Sequence, residues 1–366
     1  MKSKQKNIVI VGKNPPPFYG TSVWFQHLQE IEWENDFKIF FFDIKINESV
    51  DEIGKISLKK IFLNIKSFYN FNKFIKENEI DIALISFSQS TLGFLKDSFY
   101  IKIAKKQSKC LLMLHGSNFK NWQKNSSFIT RLFTKNIFKN TEGIVLLSSL
   151  FIPLFKDYFS KEKCFIVPNG IPDDFSFKIK DKNNKFNVVF IGNLFEGKGI
   201  NDLIEAFLLI NNDEIQLKII GKWKSEKYKS AITSIVTNNS LSIQFLGSLS
   251  GNDKFHELEK ADLFVFTSNK AEGLPLVLLE ASMFSLPIVS TDIGATSEVV
   301  ENNKNGFLIP ICNPKLLAEK IVFLKNNPKL LKSFSLESRR IYENKFTLNQ
   351  MKVNFEKVFS ILAKKL

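Results

Sequence analysis

Short runs of β-branched and aromatic residues alternate with longer stretches whose apolar residues recur at helical spacing, almost throughout the chain. The runs Asn7–Val11, Lys38–Phe42, Ile82–Ser86, Cys110–Leu114, Gly143–Leu147 and Cys164–Val167 read as strands. A second series follows at Phe186–Ile191, Gln216–Ile220, Ile243–Leu246, Leu263–Thr267 and Pro287–Ser290, and Phe307–Ile309 is a candidate to close it. Strands separated by helical stretches of this length predict βαβ units and parallel sheets covered on both faces. Between the two series, Val167-Pro-Asn-Gly-Ile-Pro-Asp-Asp174 is made of turn residues, and a polar stretch follows over Lys178–Lys185. The expected organisation is therefore α/β. A Rossmann-like domain spans residues 1–172, a second spans 173–346, and a helix over 347–366 packs back on the first. In that last helix Leu348, Met351, Phe355, Val358, Phe359 and Leu362 recur at helical spacing. Open α/β sheets bind ligands beyond the carboxyl ends of their strands, so the two domains are expected to face a central cleft.

Composition narrows the class. The 366 residues are 44% hydrophobic and 24% charged, which excludes a disordered chain. Cys110, Cys164 and Cys312 are odd in number and far apart, which excludes a disulfide scaffold or a Cys-based metal site. They read as buried thiols of a reducing compartment. Lys2, Lys4 and Lys6 precede an apolar run of only Ile8 to Val11, too short for a signal peptide or a membrane span, so a cytoplasmic location is expected. The net charge of +14 divides as +8 over residues 1–175 and +6 over the remainder. Such a field favours anionic partners without choosing among them.

The richest chemistry lies in Thr267-Ser-Asn-Lys-Ala-Glu-Gly-Leu-Pro-Leu-Val-Leu-Leu-Glu-Ala-Ser282. A strand ends near Thr267, a loop carries Glu272 and Gly273, and Pro275 is expected as the first residue of a helix over 275–283. The free N–H groups of that helix suit a phosphate. Glu280 falls about 8 Å further along the axis, so the two glutamates would grip different parts of an extended ligand.

Glu272-x7-Glu280 within Glu-Gly-x-Pro, followed by Leu286-Pro-Ile-Val-Ser-Thr and Gly306-Phe-Leu-Ile, resembles retaining glycosyltransferase family 4. Further landmarks match in order: Pro15-Pro-Pro-Phe-Tyr-Gly-Thr21, Leu114-His-Gly116, Val167-Pro-Asn-Gly170, Phe190-Ile-Gly-Asn-Leu with Lys198-Gly199, Phe245-Leu-Gly247 and Ala261-Asp-Leu-Phe-Val-Phe-Thr-Ser268. The resemblance covers nearly the whole chain and implies the GT-B fold of two Rossmann-like domains. It also implies transfer of a sugar from a nucleotide-sugar donor of UDP or GDP type, with retention at the anomeric carbon and without a metal or resident cofactor. The implied catalytic residues are His115 beside the transferred sugar, Lys198 on the departing diphosphate and Glu272 on sugar hydroxyls. The implied donor-binding residues are Gly20, Asn193, Gly273, Leu274, Pro275, Leu276, Val277 and Glu280, the last on the ribose. Two positions depart from the family. Asn193 stands where an Arg is usual, a loss for which Lys222 is a candidate substitute, and Ser285 stands where Gly is usual. The base is expected to meet backbone groups near Leu246 to Ser250.

Two basic amphipathic stretches remain. Lys120–Lys139 carries five cations and no acid, interleaved with aromatic residues, and reads equally as a membrane surface or as a sheet-covering helix. Lys55–Lys76, with Leu58, Ile61, Phe62, Ile65, Phe68 and Ile75 assigned to one face, reads as core. No nucleic-acid-binding motif is visible. The function expected is transfer of a sugar to a hydroxyl of a glycan or lipid-linked acceptor in surface polysaccharide biosynthesis. The alternative is a non-catalytic partner subunit of the same fold that binds nucleotide or glycan.

Overall fold

Residues 5–45, 57–173 and 185–364 are described in a computed structural model. Lys2, Lys4, Lys55 and the polar stretch up to residue 184 lie outside them. Among the described residues, β1 (Lys6–Gly12), β2 (Phe37–Asp43), β3 (Ile82–Ser86), β4 (Lys109–Leu114), β5 (Gly143–Leu146) and β6 (Cys164–Ile166) form one sheet in the order β2-β1-β3-β4-β5-β6. A second sheet joins β7 (Phe186–Ile191), β8 (Ile215–Ile220), β9 (Ile243–Gly247), β10 (Leu263–Phe266), β11 (Ile288–Thr291) and β12 (Gly306–Ile309) in the order β12-β11-β10-β7-β8-β9. Every pairing between these strands is parallel. The second order is that of the doubly wound dinucleotide fold. The first is the flavodoxin order with one strand added at its far edge. The strand order reverses between β1 and β3 in one sheet and between β7 and β10 in the other, and such switch points are where these folds bind ligands.

The chain forms two compact units, Met1–Pro172 with Thr347–Leu366, and Asp173–Phe346. Helices of the first are α1 (Gly20–Gln29), α2 (Leu58–Glu77), α3 (Thr91–Ala104), α4 (Phe119–Asn125) and α5 (Phe128–Phe138). Those of the second are α6 (Ile200–Ile210), α7 (Glu226–Asn238), α8 (Gly251–Lys260), α9 (Leu276–Met283), α10 (Pro314–Asn326) and α11 (Pro328–Lys345). The last helix, α12 (Leu348–Ala363), belongs to the first unit. Its Phe355 is fully buried with ring centroids 6.4 Å from both Trp24 and Trp33, and Phe359 lies 5.9 Å from Phe37. These aromatic contacts cover α1 and the first strands from one side.

Helix α2 departs from the expectation that its apolar residues form one core-facing stripe. Phe71 and Ile75 are buried, and Phe68 stacks on Phe99 of α3 at 4.9 Å. Leu58, Ile61, Phe62 and Ile65 are instead 86%, 47%, 68% and 59% exposed. At roughly 100° per residue Ile61, Phe68 and Ile75 share one side, so exposure follows position along the axis: the core does not reach the apolar residues of the first turns of α2, while Phe71 and Ile75 further on are buried. The thiols also differ from expectation, since only Cys110 is buried and Cys312 is exposed.

Helix α9 ends in a Schellman motif: Leu286 N–H donates to Ala281 O at 2.9 Å and Ser285 N–H to Ser282 O at 3.0 Å. The motif holds Ser285 at φ 56°, in the left-handed region where a Cβ is strained. Ser285→Gly is therefore expected to raise stability by about 0.5–1 kcal/mol in urea denaturation. Phe355→Ala, which empties the aromatic contact between α12 and α1, is expected to lower the stability of its unit by about 3–5 kcal/mol in the same measurement.

Candidate active site

The second unit brings its charged residues together at the switch point. After β7 the chain turns through Glu196–Lys198, and Gly199 adopts φ 69° before α6 begins at Ile200. A Cβ on Gly199 would lie 1.8 Å from the Thr267 carbonyl oxygen, so only glycine lets this turn press against the end of β10. The Thr267 hydroxyl donates to Lys198 O at 3.0 Å and fixes the approach. Lys198 Nζ consequently lies 2.5 Å from Glu272 Oε1, the same oxygen that accepts from Ser268 Oγ at 2.6 Å. The two charged side chains are 21% and 16% exposed, dry enough for the pair to be stronger than a surface ion pair.

Glu280 belongs to a separate pair. It is 7% exposed on α9, with Oε1 2.6 Å from Lys254 Nζ of α8. Among the described residues its other oxygen, Oε2, is buried without a hydrogen-bond partner. A buried carboxylate oxygen left unpaired is costly and suits an incoming hydroxyl donor. Pro275 caps α9 with φ −66° and ψ 123° instead of opening it. The first helical residue is Leu276, one later than expected, because that ψ is extended. The Leu278 N–H donates to the Pro275 carbonyl at 3.1 Å, so the N–H groups of Leu276 and Val277 are the ones that precede any carbonyl of their own helix and suit an anion. Gly294 holds the preceding loop close, since a Cβ there would meet Glu272 O at 2.2 Å. Beyond β9, Gly247 and Gly251 take φ 73° and 52°, and among the described residues nothing stands within 4 Å of either Cβ position, which leaves the loop expected to meet the base open.

Asn193 is exposed one residue before Leu194, whose N–H donates to Lys222 O at 2.9 Å. The main chain of Lys222 thus runs beside the position that lacks its usual cation.

In the first unit, Gly20 is the first residue of α1, and nothing among the described residues stands within 4 Å of its Cβ position. Ser22 Oγ accepts the Tyr19 N–H at 3.0 Å and donates to Pro17 O at 2.8 Å, which ties the loop to the helix start. His115 follows β4, with Nε2 3.0 Å from Ser86 Oγ at the end of β3 and its ring 4.3 Å from Trp24, edge-on. Burial pushes the His115 pKa down to about 3, so the ring is neutral at physiological pH. Lys13, just past β1, was not singled out by its sequence. Burial lowers its pKa to about 8, Lys96 adds to the effect, and Asp97 and Asp43 oppose it.

The structure therefore joins Lys198 to Glu272, gives Glu280 its own cation, and in the other unit sets His115 just after β4 and Gly20 at the start of α1. Sequence reasoning missed Lys254 and Ser268. Ser268 lies within the Thr267–Ser282 segment and could have been found there. Lys254 is 26 residues from its partner in a helix rich in charge, with no local signal. Among the described residues no group of three or more His, Cys, Asp or Glu is arranged to hold a metal ion.

Residues 172–341 match the model of the family described as glycosyl transferases group 1. An uncharacterized glycosyltransferase of Methanocaldococcus jannaschii is 29% identical over 301 residues, covering 81% of this chain and 80% of that one. The capsular polysaccharide biosynthesis glycosyltransferase CapM of Staphylococcus aureus is 24% identical over 184 residues, 50% of this chain and 48% of that one. A solved glycosyltransferase from Rickettsia africae has the same fold, with a TM-score of 0.79 over 99% of this chain and 100% of that one at 16% identity.

The neutral state of His115 is open to measurement. Its ring resonances are expected to stay constant from pH 8 down to pH 5, where an ordinary histidine, near 6.5, would titrate. Below 6.5 the unfolded chain takes up a proton that the folded site refuses, so folding stability falls as pH drops from 6.5 toward 3. His115→Gln is expected to flatten that part of the pH–stability curve.

Proposed function

We propose that this chain, whose residues 172–341 match the group 1 glycosyltransferase model and which is 29% identical to a glycosyltransferase over 301 residues, is a retaining enzyme of family 4, moving a sugar from a UDP- or GDP-activated donor to a hydroxyl of a glycan or lipid-linked acceptor in surface polysaccharide synthesis. One observation carries the reading. Lys198 and Glu272, from loops after two different strands, meet where the strand order of the second sheet reverses. A diphosphate arriving there exchanges places with Glu272 on the Lys198 ammonium, and the N–H groups at the start of α9 add partial positive charge. Glu272, released, accepts from hydroxyls of the donor sugar, with Gly273, Leu274 and Pro275 shaping the loop beneath it. Glu280 Oε2 accepts from the ribose, and the open loop after β9 receives the base.

Charge builds on the leaving diphosphate as the bond to the anomeric carbon breaks, and Lys198 with the α9 N-terminus stabilises it without a resident metal. The diphosphate oxygen takes the acceptor proton on the same face, which retains configuration. His115, neutral and held by Ser86 Oγ, donates to or accepts from a sugar hydroxyl without bringing a charge to the reacting carbon. Gly20 leaves room for donor and acceptor at the start of α1. A lipid-linked acceptor brings the enzyme to a membrane surface, with Lys120–Lys139 as part of the contact. The exposed Asn193 favours the second reading, a partner subunit that binds nucleotide without turning it over.

Calorimetric titration with UDP, GDP, ADP and NAD tests the donor site, and turnover separates the two readings. One nucleoside diphosphate is expected to saturate the site, and Glu280→Ala to weaken it by about 10–100-fold. Lys198→Ala is expected to lower kcat by about 100–1,000-fold. A loss confined to affinity, with no turnover to lose, marks the partner subunit. Silence from all four ligands removes the donor site altogether.

A further inference from the structure

The first unit exposes apolar side chains on three neighbouring helices. On α2 these are Leu58, Ile61, Phe62, Ile65 and Tyr69, the last 69% exposed. Leu92, Leu95 and Phe99 form a stripe on α3, exposed by 60%, 46% and 46%. Phe128, Ile129 and Leu132 continue it on α5, exposed by 66%, 77% and 51%. The helices adjoin one another. Phe68 of α2 stacks on Phe99 of α3, and the Lys102 ammonium of α3 lies 6.0 Å from the Phe99 ring and 5.3 Å from Phe133 of α5. Apart from Tyr69 and Phe99, these exposed residues fall in the first half of their helices. In a parallel sheet that end lies beside the carboxyl ends of the strands, where Gly20 and His115 sit.

The charge on this face is of one sign. Lys59 and Lys66 are exposed and lie within about 60° of Phe62 around α2, by the roughly 100° turn per residue. Lys120 and Lys124 of α4 and Arg131 and Lys135 of α5 are all exposed. Across α2, α3, α4 and α5 the carboxylates are Glu77, at the last residue of α2, and Asp97, which is 3% exposed and paired with Lys96. A monomer seldom leaves so many apolar side chains together in water. A second copy packed face to face would set cation against cation with no acid to pair them. A bilayer carrying anionic headgroups meets both demands, because its acyl boundary takes the apolar rows and its headgroups take the cations.

We propose that the outer face of α2, α3 and α5, with the lysines of α4, is a docking surface for an anionic lipid bilayer. It rests on the lipid-linked acceptor of the reading above and extends the contact from Lys120–Lys139 to a three-helix face. The docked unit sets the ligand end of the first sheet at the level where a lipid-borne hydroxyl would arrive.

Co-sedimentation of the full chain with phosphatidylcholine vesicles, with and without phosphatidylglycerol, tests the proposal. Binding is expected only with phosphatidylglycerol, and added salt is expected to weaken it. Phe62→Ser with Ile65→Ser, and separately Phe128→Ser with Ile129→Ser, are expected to lower binding by about tenfold or more. Lys59→Gln with Lys66→Gln is expected to do the same. Leu208→Ser with Leu209→Ser, an exposed apolar pair of the other unit, should change nothing. Thermal melts of each variant check that the fold survives. Equal binding to both kinds of vesicle overturns the proposal, as does binding to neither. Self-association that the α2 and α5 substitutions abolish also overturns it, in favour of an interface between copies. Nucleotide titration without vesicles reports on the transfer reading alone, so either idea can fail without the other.

Discussion

A glycine and a carbonyl set the spacing of the second sheet's carboxyl edge. Gly199 passes so close to Thr267 O that no side chain fits between them, and this contact brings the turn after β7 against the loop after β10. Around it, the Thr267 hydroxyl bonds to Lys198 O, and Asn269 N–H donates to Gly197 O at 3.2 Å. Without that approach Lys198 and Glu272, 74 residues apart in the chain, would have no reason to meet. The chemistry proposed for the site thus depends on backbone packing before it depends on charge.

Much of the fold was legible because β-branched runs and turn residues are local signals. The strands predicted at Ile82–Ser86, Phe186–Ile191 and Gln216–Ile220 lie within a residue of those observed. Residues whose roles come from distant neighbours were less visible. Lys254 looks like one more surface lysine until α8 packs near α9, and Lys13 gives no sign in sequence of its buried setting. The error at α2 has a different origin. Apolar residues spaced by three and four do share a broad side of the helix, but those over 58–65 are exposed and only those further along meet neighbours. Periodicity identifies a helix well but does not say how much of its length finds cover.

Ser285 shows a familiar residue type replaced at a fixed geometry. The helix still closes with both hydrogen bonds of a Schellman motif, so the left-handed turn is kept and serine bears the strain. Asn193 is a different kind of replacement. What changes there is charge, and the main chains of Lys222 and Lys224 both bond to that of Leu194, the next residue.

An ammonium that already holds a carboxylate is a poor trap for passing anions. In a chain of net charge +14, bare lysines would collect inorganic phosphate, chloride and single-charged metabolites without discrimination. The Lys198–Glu272 pair sets an entry threshold, because a newcomer has to outcompete an oxygen 2.5 Å away that Ser268 also steadies. In the proposed reading, only a ligand with concentrated charge, and with hydroxyls to occupy the displaced Glu272, gains from the exchange. Occupancy of the site would then be decided by two halves of one molecule acting together.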